Sequence, residues 1–399
     1  RPAQARDLLM IWPKSRRVRK LKWDGKMKDC YENRRSPARQ RWRTPSHGRR
    51  LLALAACVAL LPSLAAPGGI EAQERLQVVT TLPTYAAIAR DVTGDLAEVT
   101  AIARGDEDPH FVTPRPSYAA LIKKADLFVA TGLDLELWVT TLLDRAGNSR
   151  VIDGAPGYVA AYAGIELLDI PTAISRAEGD VHVFGNPHIH TDPINAIIIS
   201  RNILAGLRRV DPSRSETYEA NARDFADRVL RRLVGVELVE ILGAETLFEL
   251  ARSNRLWGFL EANRYQERPL TAYVGGWLAQ GAPFRDRDIA CYHKNWVYFS
   301  VRFRVRCAMY VEPKVGIPPS PGHVRELVDW MSENEIPALL AANYFSRSQI
   351  ENVASRTGAE AVIVPHGVGG AEGVDDYFEL VDVWVSRLAG AFTRAAGGR

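Results

Sequence analysis

The chain has 399 residues, of which 47% are hydrophobic, and this is enough for two ordinary domains with separate cores. Its formal charge of +4 is unevenly distributed. Residues 1–50 carry 17 Lys/Arg and 4 Asp/Glu, which leaves 34 basic and 43 acidic residues, a net charge of −9, for the remainder. This acidic balance argues against nucleic acid as a partner of the folded body.

The amino-terminal segment predicts export. Residues 1–48 are rich in Arg and carry no periodic pattern, so we expect a non-native or disordered leader, with the true translation start left open. Arg49 and Arg50 precede an apolar run that ends in small residues, which predicts a signal peptide over residues 49–72 that is too short to span a membrane. The mature protein is therefore expected in the periplasm or another extracytoplasmic space, and lipid anchoring through Cys57 is the less favoured alternative.

Beyond residue 72, short apolar strands alternate with helices, which is typical of parallel α/β domains. We predict strands at residues 76–81, 99–102, 127–131, 289–292, 308–311, 338–341 and 361–364. Between these two regions, Asp192-Pro193 and Asp211-Pro212 each place a capping carboxylate before a helix-starting proline. The middle of the chain is therefore predicted to be helical.

Four histidines stand at positions where ligands are expected. His110, His293 and His366 each follow a predicted strand, and His188 precedes the helix that starts after Asp192. Parallel sheets collect ligand groups at the carboxyl ends of their strands, and four imidazoles satisfy tetrahedral Zn(II). Spacing alone leaves a metal site and a set of structural histidines as equal alternatives.

Two cysteines remain after the signal segment, Cys291 and Cys307, and each lies in an apolar run. A disulfide is allowed in an exported protein, but buried free thiols fit the sequence equally well, because spacing does not fix the Cα separation.

Several segments resemble the zinc- and manganese-binding solute-binding proteins of metal ABC importers. They are Leu82-Pro83-Thr84-Tyr85, Gly105-Asp106-Glu107-Asp108-Pro109-His110, Gly185-Asn186-Pro187-His188, Tyr292-His293-Lys294-Asn295-Trp296, Val311-Glu312-Pro313-Lys314, Gly316-Ile317-Pro318-Pro319-Ser320-Pro321, Asn343-Tyr344-Phe345 and Gly369-Gly370. They follow in the family's order over residues 76–395. The resemblance implies two parallel-sheet α/β lobes, residues 73–191 and 243–399. One long rigid backbone helix region, residues 192–242, would join them, with the metal in the cleft between the lobes.

The resemblance also implies a ligand set. His110, His188 and His293 match the family's ligand positions, and His366 falls where manganese members commonly carry Asp. An all-imidazole set favours Zn(II) over Mn(II), which prefers carboxylate oxygen. Mn(II) remains an alternative, and so does a carboxylate or water in place of His366.

Four further residues are expected in supporting roles. His190 replaces the aromatic residue of relatives, so it either assists the ligands or borders the cleft, and His182 is a weak capture residue where many zinc members have a long His-rich loop. Glu312 and Asn343 are candidates to accept hydrogen bonds that fix imidazole tautomers. Residues 303–306 replace an expected glycine-containing turn before a strand.

These observations predict a monomeric receptor that captures Zn(II), delivers it to a membrane ABC permease and performs no catalytic step. The alternatives are a secreted zinc-dependent hydrolase and a metal-stabilised surface adhesion protein. Neither a His-Glu-x-x-His helix nor a Gly-x-Ser-x-Gly elbow occurs in the sequence, and four histidine ligands would leave no open position for a reactive water.

Overall fold

The structure is a computed structural model that describes residues 75–171, 182–314 and 316–397. The expected leader, the expected signal peptide and Cys57 lie outside the described residues. Within the described ranges, no helix combines the length and the apolar character needed to cross a membrane.

The first lobe is built on a four-stranded parallel sheet with the strand order β2-β1-β3-β4. Its elements are β1 (Leu76–Thr80), α1 (Pro83–Thr93), β2 (Ala97–Ala101), α2 (Pro116–Lys124), β3 (Leu127–Ala130), α3 (Val139–Ala146) and β4 (Tyr158–Ala160). Strands β1 and β3 are almost entirely buried, as expected for parallel strands that are covered on both faces. Strand β4 was not predicted because three residues are too short to show a pattern.

The chain then continues through five helices and a short antiparallel hairpin. These are α4 (Pro193–Val210), α5 (Ser215–Val234), α6 (Val236–Leu242), α7 (Ala244–Arg252), α8 (Leu256–Ala262), β5 (Arg264–Tyr265) and β6 (Arg268–Pro269). The helix start at Asp192 is confirmed, since its carboxylate accepts a hydrogen bond from the Ile194 N–H at 2.9 Å. After Asp211 the chain first makes a 3₁₀ turn, so α5 begins only at Ser215.

The second lobe contains the other four-stranded parallel sheet, with the strand order β10-β9-β7-β8. Its elements are α9 (Gly276–Gln280), β7 (Arg287–Cys291), α10 (Val297–Phe303), β8 (Val305–Tyr310), α11 (Pro321–Glu333), β9 (Ala338–Ala342), α12 (Arg347–Thr357), β10 (Glu360–Val364) and α13 (Tyr377–Gly397). The predicted fold class, two parallel-sheet α/β lobes, is confirmed.

The connection between the lobes consists of two helices, α4 and α5, that pack against each other. Helix α5 has 20 residues and is therefore about 30 Å long. It contacts α1 of the first lobe and α9 of the second, so it packs against both lobes.

Residues 303–306, where a glycine-containing turn was expected, still form a turn with one residue in the left-handed backbone conformation that glycine usually adopts. Arg304 ends α10 with φ +54°, in the left-handed region, which costs about 1 kcal/mol for a residue with a side chain. Its guanidinium contacts Asp286 at 2.7 Å and Glu261 at 2.8 Å. These two contacts offset part of the backbone cost.

Cys291 and Cys307 form a disulfide between the neighbouring strands β7 and β8, with their Cα atoms 5.4 Å apart. The sequence left this pairing open. Closing a loop of this size stabilises the fold by about 3 kcal/mol in the chain-entropy treatment. Because Cys291 stands two residues before His293, the disulfide secures the strand end from which that histidine projects.

A buried ion pair ties the start of α4 to the second lobe. Arg302 donates from Nε and Nη2 to the two carboxylate oxygens of Asp192, each at 2.8 Å, and from Nη1 to the Ala251 carbonyl at 3.0 Å. The two side chains are only 6% and 7% exposed. Asp192 therefore caps α4 and holds α10 with the same carboxylate.

We expect Arg302→Leu to lower the free energy of unfolding by about 3 to 5 kcal/mol, because it leaves the Asp192 charge buried without its partner. Urea denaturation followed by circular dichroism measures the change. The control is Arg306→Leu, which removes an Arg whose side chain is 74% exposed and pairs with Asp288. That change should cost at most about 1 kcal/mol. Equal losses in the two variants would contradict the role of the buried pair.

Candidate metal site

In the structure the histidines lie close together, beside loops that follow strands of both sheets. Five imidazoles form a continuous series of ring contacts. The centroid distances are 5.1 Å for His182–His110, 5.3 Å for His110–His188, 5.2 Å for His188–His366 and 4.7 Å for His366–His190. His293 lies close enough to interact electrostatically with His110, His182, His188 and His366.

Two loops that carry these histidines approach each other closely enough to require glycine. A Cβ atom added to Gly105, five residues before His110, would lie 2.2 Å from the Val368 carbonyl oxygen and 2.3 Å from the Gly370 nitrogen. Backbone from the first lobe is therefore in direct contact with the loop that follows His366.

Hydrogen bonds fix the orientation of two imidazoles. His110 Nδ1 lies 2.7 Å from an Asp108 carboxylate oxygen, and His293 Nδ1 donates to the Glu312 carbonyl oxygen at 2.8 Å. In each ring the hydrogen-bonded Nδ1 leaves the Nε2 lone pair for other use. Sequence reasoning missed Asp108, although its position two residues before a histidine was a local signal for such a pair.

His188 and His366 present buried nitrogens that no protein group satisfies. Neither ring nitrogen of His188 has a hydrogen-bond partner in the described part of the chain, and the same holds for Nε2 of His366. The two residues are 0% and 3% exposed. Leaving a buried polar atom unpaired costs about 1 to 3 kcal/mol, whereas a neutral imidazole lone pair is a good metal ligand.

His182 was expected only as a weak capture residue, but it lies within the histidine cluster. Its Nε2 is 3.1 Å from Nε2 of His110. Ligand nitrogens of His182, His110 and His188 all lie within 4.8 Å of one another, so these three could hold a metal ion together.

His190 supports the segment that carries His366. It is 1% exposed, and its Nε2 donates to the His366 backbone carbonyl at 3.1 Å. Its ring also makes an edge contact with Tyr85, with 6.3 Å between the ring centroids. The residue thus fills a buried position beside the site.

Glu312 and Asn343 differ in how they meet the cluster. The backbone carbonyl of Glu312 orients His293, whereas its carboxylate accepts a hydrogen bond from the Gly316 N–H at 3.0 Å. The Asn343 amide donates to the Gly370 carbonyl at 2.7 Å and so braces the loop after His366 rather than an imidazole.

Burial keeps the imidazoles uncharged. Desolvation lowers the pKa of His190 and of His293 to about 4, and it lowers the pKa of His182 to about 3. The pKa values of His188 and His366 are also well below the ordinary range, first through burial and then through neighbouring imidazoles. These rings are therefore neutral at pH 7, which is the form that binds metal ions.

The sequence profile described as zinc-uptake complex component A, periplasmic (ZnuA), matches residues 78–232 and 266–391. The chain belongs to this family. Membership in the ZnuA family assigns it the role of a metal-binding, substrate-binding protein of an ABC importer, which captures a metal ion and delivers it. This family membership does not favour the two alternative functions, a secreted zinc-dependent hydrolase and a metal-stabilised adhesion protein.

Individual relatives agree with this assignment. The chain is 25% identical to the iron-binding protein YfeA of Yersinia pestis over 322 residues, which are 80% of this chain and 87% of YfeA. It is 26% identical to the manganese ABC transporter substrate-binding lipoprotein PsaA of Streptococcus anginosus over 186 residues, 46% of this chain and 57% of PsaA. A crystal structure of ZnuA shares the fold, with a TM-score of 0.58 and 21% identity over 80% of this chain and 100% of that one.

The lowered histidine pKa values predict that the metal-free protein loses stability in acid. Between about pH 6.5 and pH 4 the histidines of the unfolded chain are protonated, whereas buried His190 and His293 of the folded protein stay neutral. The contribution of these two residues to the free energy of unfolding is therefore fully present above about pH 6.5 and is lost as the pH falls towards 4. We expect a loss of about 2 kcal/mol per residue at pH 5 compared with pH 7.5. Urea denaturation of chelator-treated protein at both pH values measures it. In His190→Phe this loss of unfolding free energy should be smaller. If the pH dependence of the variant equals that of the unchanged protein, His190 does not contribute to it.

Proposed function

We propose that this protein captures Zn(II) outside the cytoplasm as a monomer and delivers it to the membrane permease of an ABC importer. His110, His188, His293 and His366 are the proposed ligands. The protein reaches its compartment through the signal peptide expected at residues 49–72. Capture and release require no chemical step on the cargo, so no catalytic residue is part of the proposal.

The observation that carries this proposal is the set of unsatisfied buried nitrogens. His188 and His366 offer lone pairs without partners in the described residues, and His110 and His293 have their Nδ1 atoms already hydrogen-bonded. A divalent cation would satisfy these lone pairs, and the bond from His110 to the Asp108 carboxylate would raise the basicity of that ligand.

The choice of Zn(II) rests on the donor atoms. The names of the relatives include iron and manganese, so names alone do not select the metal. All four proposed ligands are imidazoles, which suit Zn(II) better than Mn(II). The nearby carboxylates already have hydrogen-bond partners, Asp108 with His110 and Glu312 with Gly316. Mn(II) is the second candidate cargo.

Calorimetric zinc titration of residues 73–399 tests the ligand set. We expect one tight site in the unchanged protein and a loss of affinity of about 100-fold or more in each of the variants His110→Ala, His188→Ala, His293→Ala and His366→Ala, because each removes a metal–nitrogen bond. Circular dichroism should show that the variants remain folded.

The matched control for this titration is His323→Ala. His323 Nε2 bonds to the Tyr310 carbonyl at 2.7 Å, and the residue takes no part in the ring contacts of the cluster. Its zinc affinity should equal that of the unchanged protein. Weak binding by the unchanged protein, or full affinity in three of the four ligand variants, would exclude the proposed site.

The variant His366→Asp tests the metal preference. An oxygen ligand in place of the fourth imidazole should lower the ratio of zinc to manganese affinity by about tenfold or more. Competition titrations with both metals measure the ratio, and His366→Asn, which offers a neutral oxygen, separates the effect of the charge. A ratio that rises or stays constant in His366→Asp would show that this position does not select the metal.

A further inference from the structure

We propose that Asn186 is a positioning residue for the metal, because its side-chain amide holds the segment of His188 and the segment of His293 against each other. This proposal rests on the proposed function, since it takes these two histidines as zinc ligands. Its consequence is that the amide slows the release of the ion without touching it.

The side chain of Asn186 makes two hydrogen bonds at once. Its Oδ1 accepts from the His188 N–H at 3.0 Å, and its Nδ2 donates to the Lys294 carbonyl at 2.8 Å. Asn186 is 3% exposed, and Lys294 directly follows His293 in the chain. One buried side chain thus fixes backbone atoms beside two proposed ligands that are more than 100 residues apart.

Asn186 is itself attached to both lobes. Its N–H donates to the carbonyl of Leu168, which lies beyond strand β4 of the first lobe, at 2.8 Å. The hydroxyl of Tyr298, from helix α10 of the second lobe, donates to the Asn186 carbonyl at 2.8 Å and accepts from the Leu168 N–H at 3.3 Å. The bond from Asn186 to Lys294 therefore joins segments of both lobes beside the site.

A salt bridge crosses the same junction nearer the surface. The Lys294 ammonium lies 3.1 Å from an Asp169 carboxylate oxygen, and both side chains are 39% exposed. An ion pair with this exposure is screened by solvent and contributes little. Breaking a hydrogen bond of a buried side chain costs more, because it leaves a polar group without a partner. We therefore assign the main hold on Lys294 to the Asn186 amide.

The other contact of His293 does not supply this constraint. Its Nδ1 donates to the Glu312 carbonyl, which sets the orientation of the ring within the second lobe. The distance between His293 and His188 depends instead on a bond between their two backbone segments, and the Asn186 amide is such a bond. Groups that orient metal ligands without touching the metal change the affinity by about 10- to 100-fold when they are removed.

Asn186 also has a local role, which the experiment has to separate from the proposed one. A side-chain oxygen that accepts from the N–H two residues ahead forms an Asx turn, and Pro187 between the two residues has no N–H to offer. Asn186→Asp and Asn186→Ser both keep an oxygen for this turn and remove the donor to Lys294. The Asp variant adds a charge, whereas the Ser variant does not.

We expect both variants to raise the zinc Kd by about tenfold. Most of the change should appear as faster dissociation, because the amide holds the ligands around an ion that is already bound. Calorimetry on residues 73–399 measures the Kd, and stopped-flow mixing of the zinc complex with excess chromophoric chelator measures the dissociation rate.

The matched control is Asn148→Asp. Asn148 is also buried, its Oδ1 accepts from the Arg150 N–H at 3.1 Å, and its Nδ2 donates to the carbonyls of Ile122 at 2.9 Å and Ala125 at 2.8 Å. These bonds have the same pattern, but all of them stay within the first lobe. The control should lose stability in urea, with the zinc Kd and the dissociation rate unchanged.

Two further measurements test whether Asn186 acts through His293. Added to His293→Ala, the change Asn186→Ser should raise the Kd little further, because the ligand that the amide positions is then absent. Added to His366→Ala, it should still cost about tenfold. The visible absorption of bound Co(II) depends on ligand geometry, so it should shift in Asn186→Ser and stay the same in Asn148→Asp.

Three results would overturn the proposal. They are an unchanged zinc Kd in the two Asn186 variants, an equal rise of the Kd in Asn148→Asp, and an effect of Asn186→Ser that is as large without His293 as with it. Circular dichroism checks folding; one folded Asn186 variant suffices for the comparison, and if neither folds, Asn186 is a structural residue and the proposal is wrong. A failure of the proposed function looks different, since the unchanged protein would itself bind zinc weakly.

Discussion

The fully buried His188, which lies between imidazoles from both lobes, is the constraint on which the rest of the structure depends. Among the described residues neither ring nitrogen has a hydrogen-bond partner, and the side chain is completely buried by the surrounding elements. It contacts His110 on one side and His366 on the other, so the cluster exists only when both lobes are in place. Exclusion of water keeps the rings neutral and thus ready for a cation.

The position of His188 is in turn secured by Asp192. One carboxylate caps helix α4 and accepts two hydrogen bonds from Arg302 of the second lobe. The short segment between His188 and Asp192 is therefore attached at its end to both the connecting helices and the second lobe. The disulfide between Cys291 and Cys307 acts in the same sense on the strand that leads to His293. These contacts favour a preformed site over one that the metal must assemble.

Much of this could be predicted from the sequence, because the relevant signals act within a few residues. The strands that precede His110, His293 and His366 and the cap at Asp192 followed from hydrophobic runs and turn residues, and the two-lobe fold class is confirmed. Strand β4 was missed, because three residues are too few to show a period. The role of Asp108 was visible in the sequence but was not recognised.

The sequence by itself determined the chemistry available, namely histidines at strand ends, a neutral donor set and the helices that separate the two halves. Only the tertiary structure decided that the two cysteines pair, that His182 joins the cluster, and that the Glu312 carbonyl rather than its carboxylate orients His293. The physical reason is that the two kinds of interaction act over different separations along the chain. Periodicity and capping act over one or two turns, whereas the lone pair that an imidazole leaves free depends on partners and water exclusion supplied by distant segments.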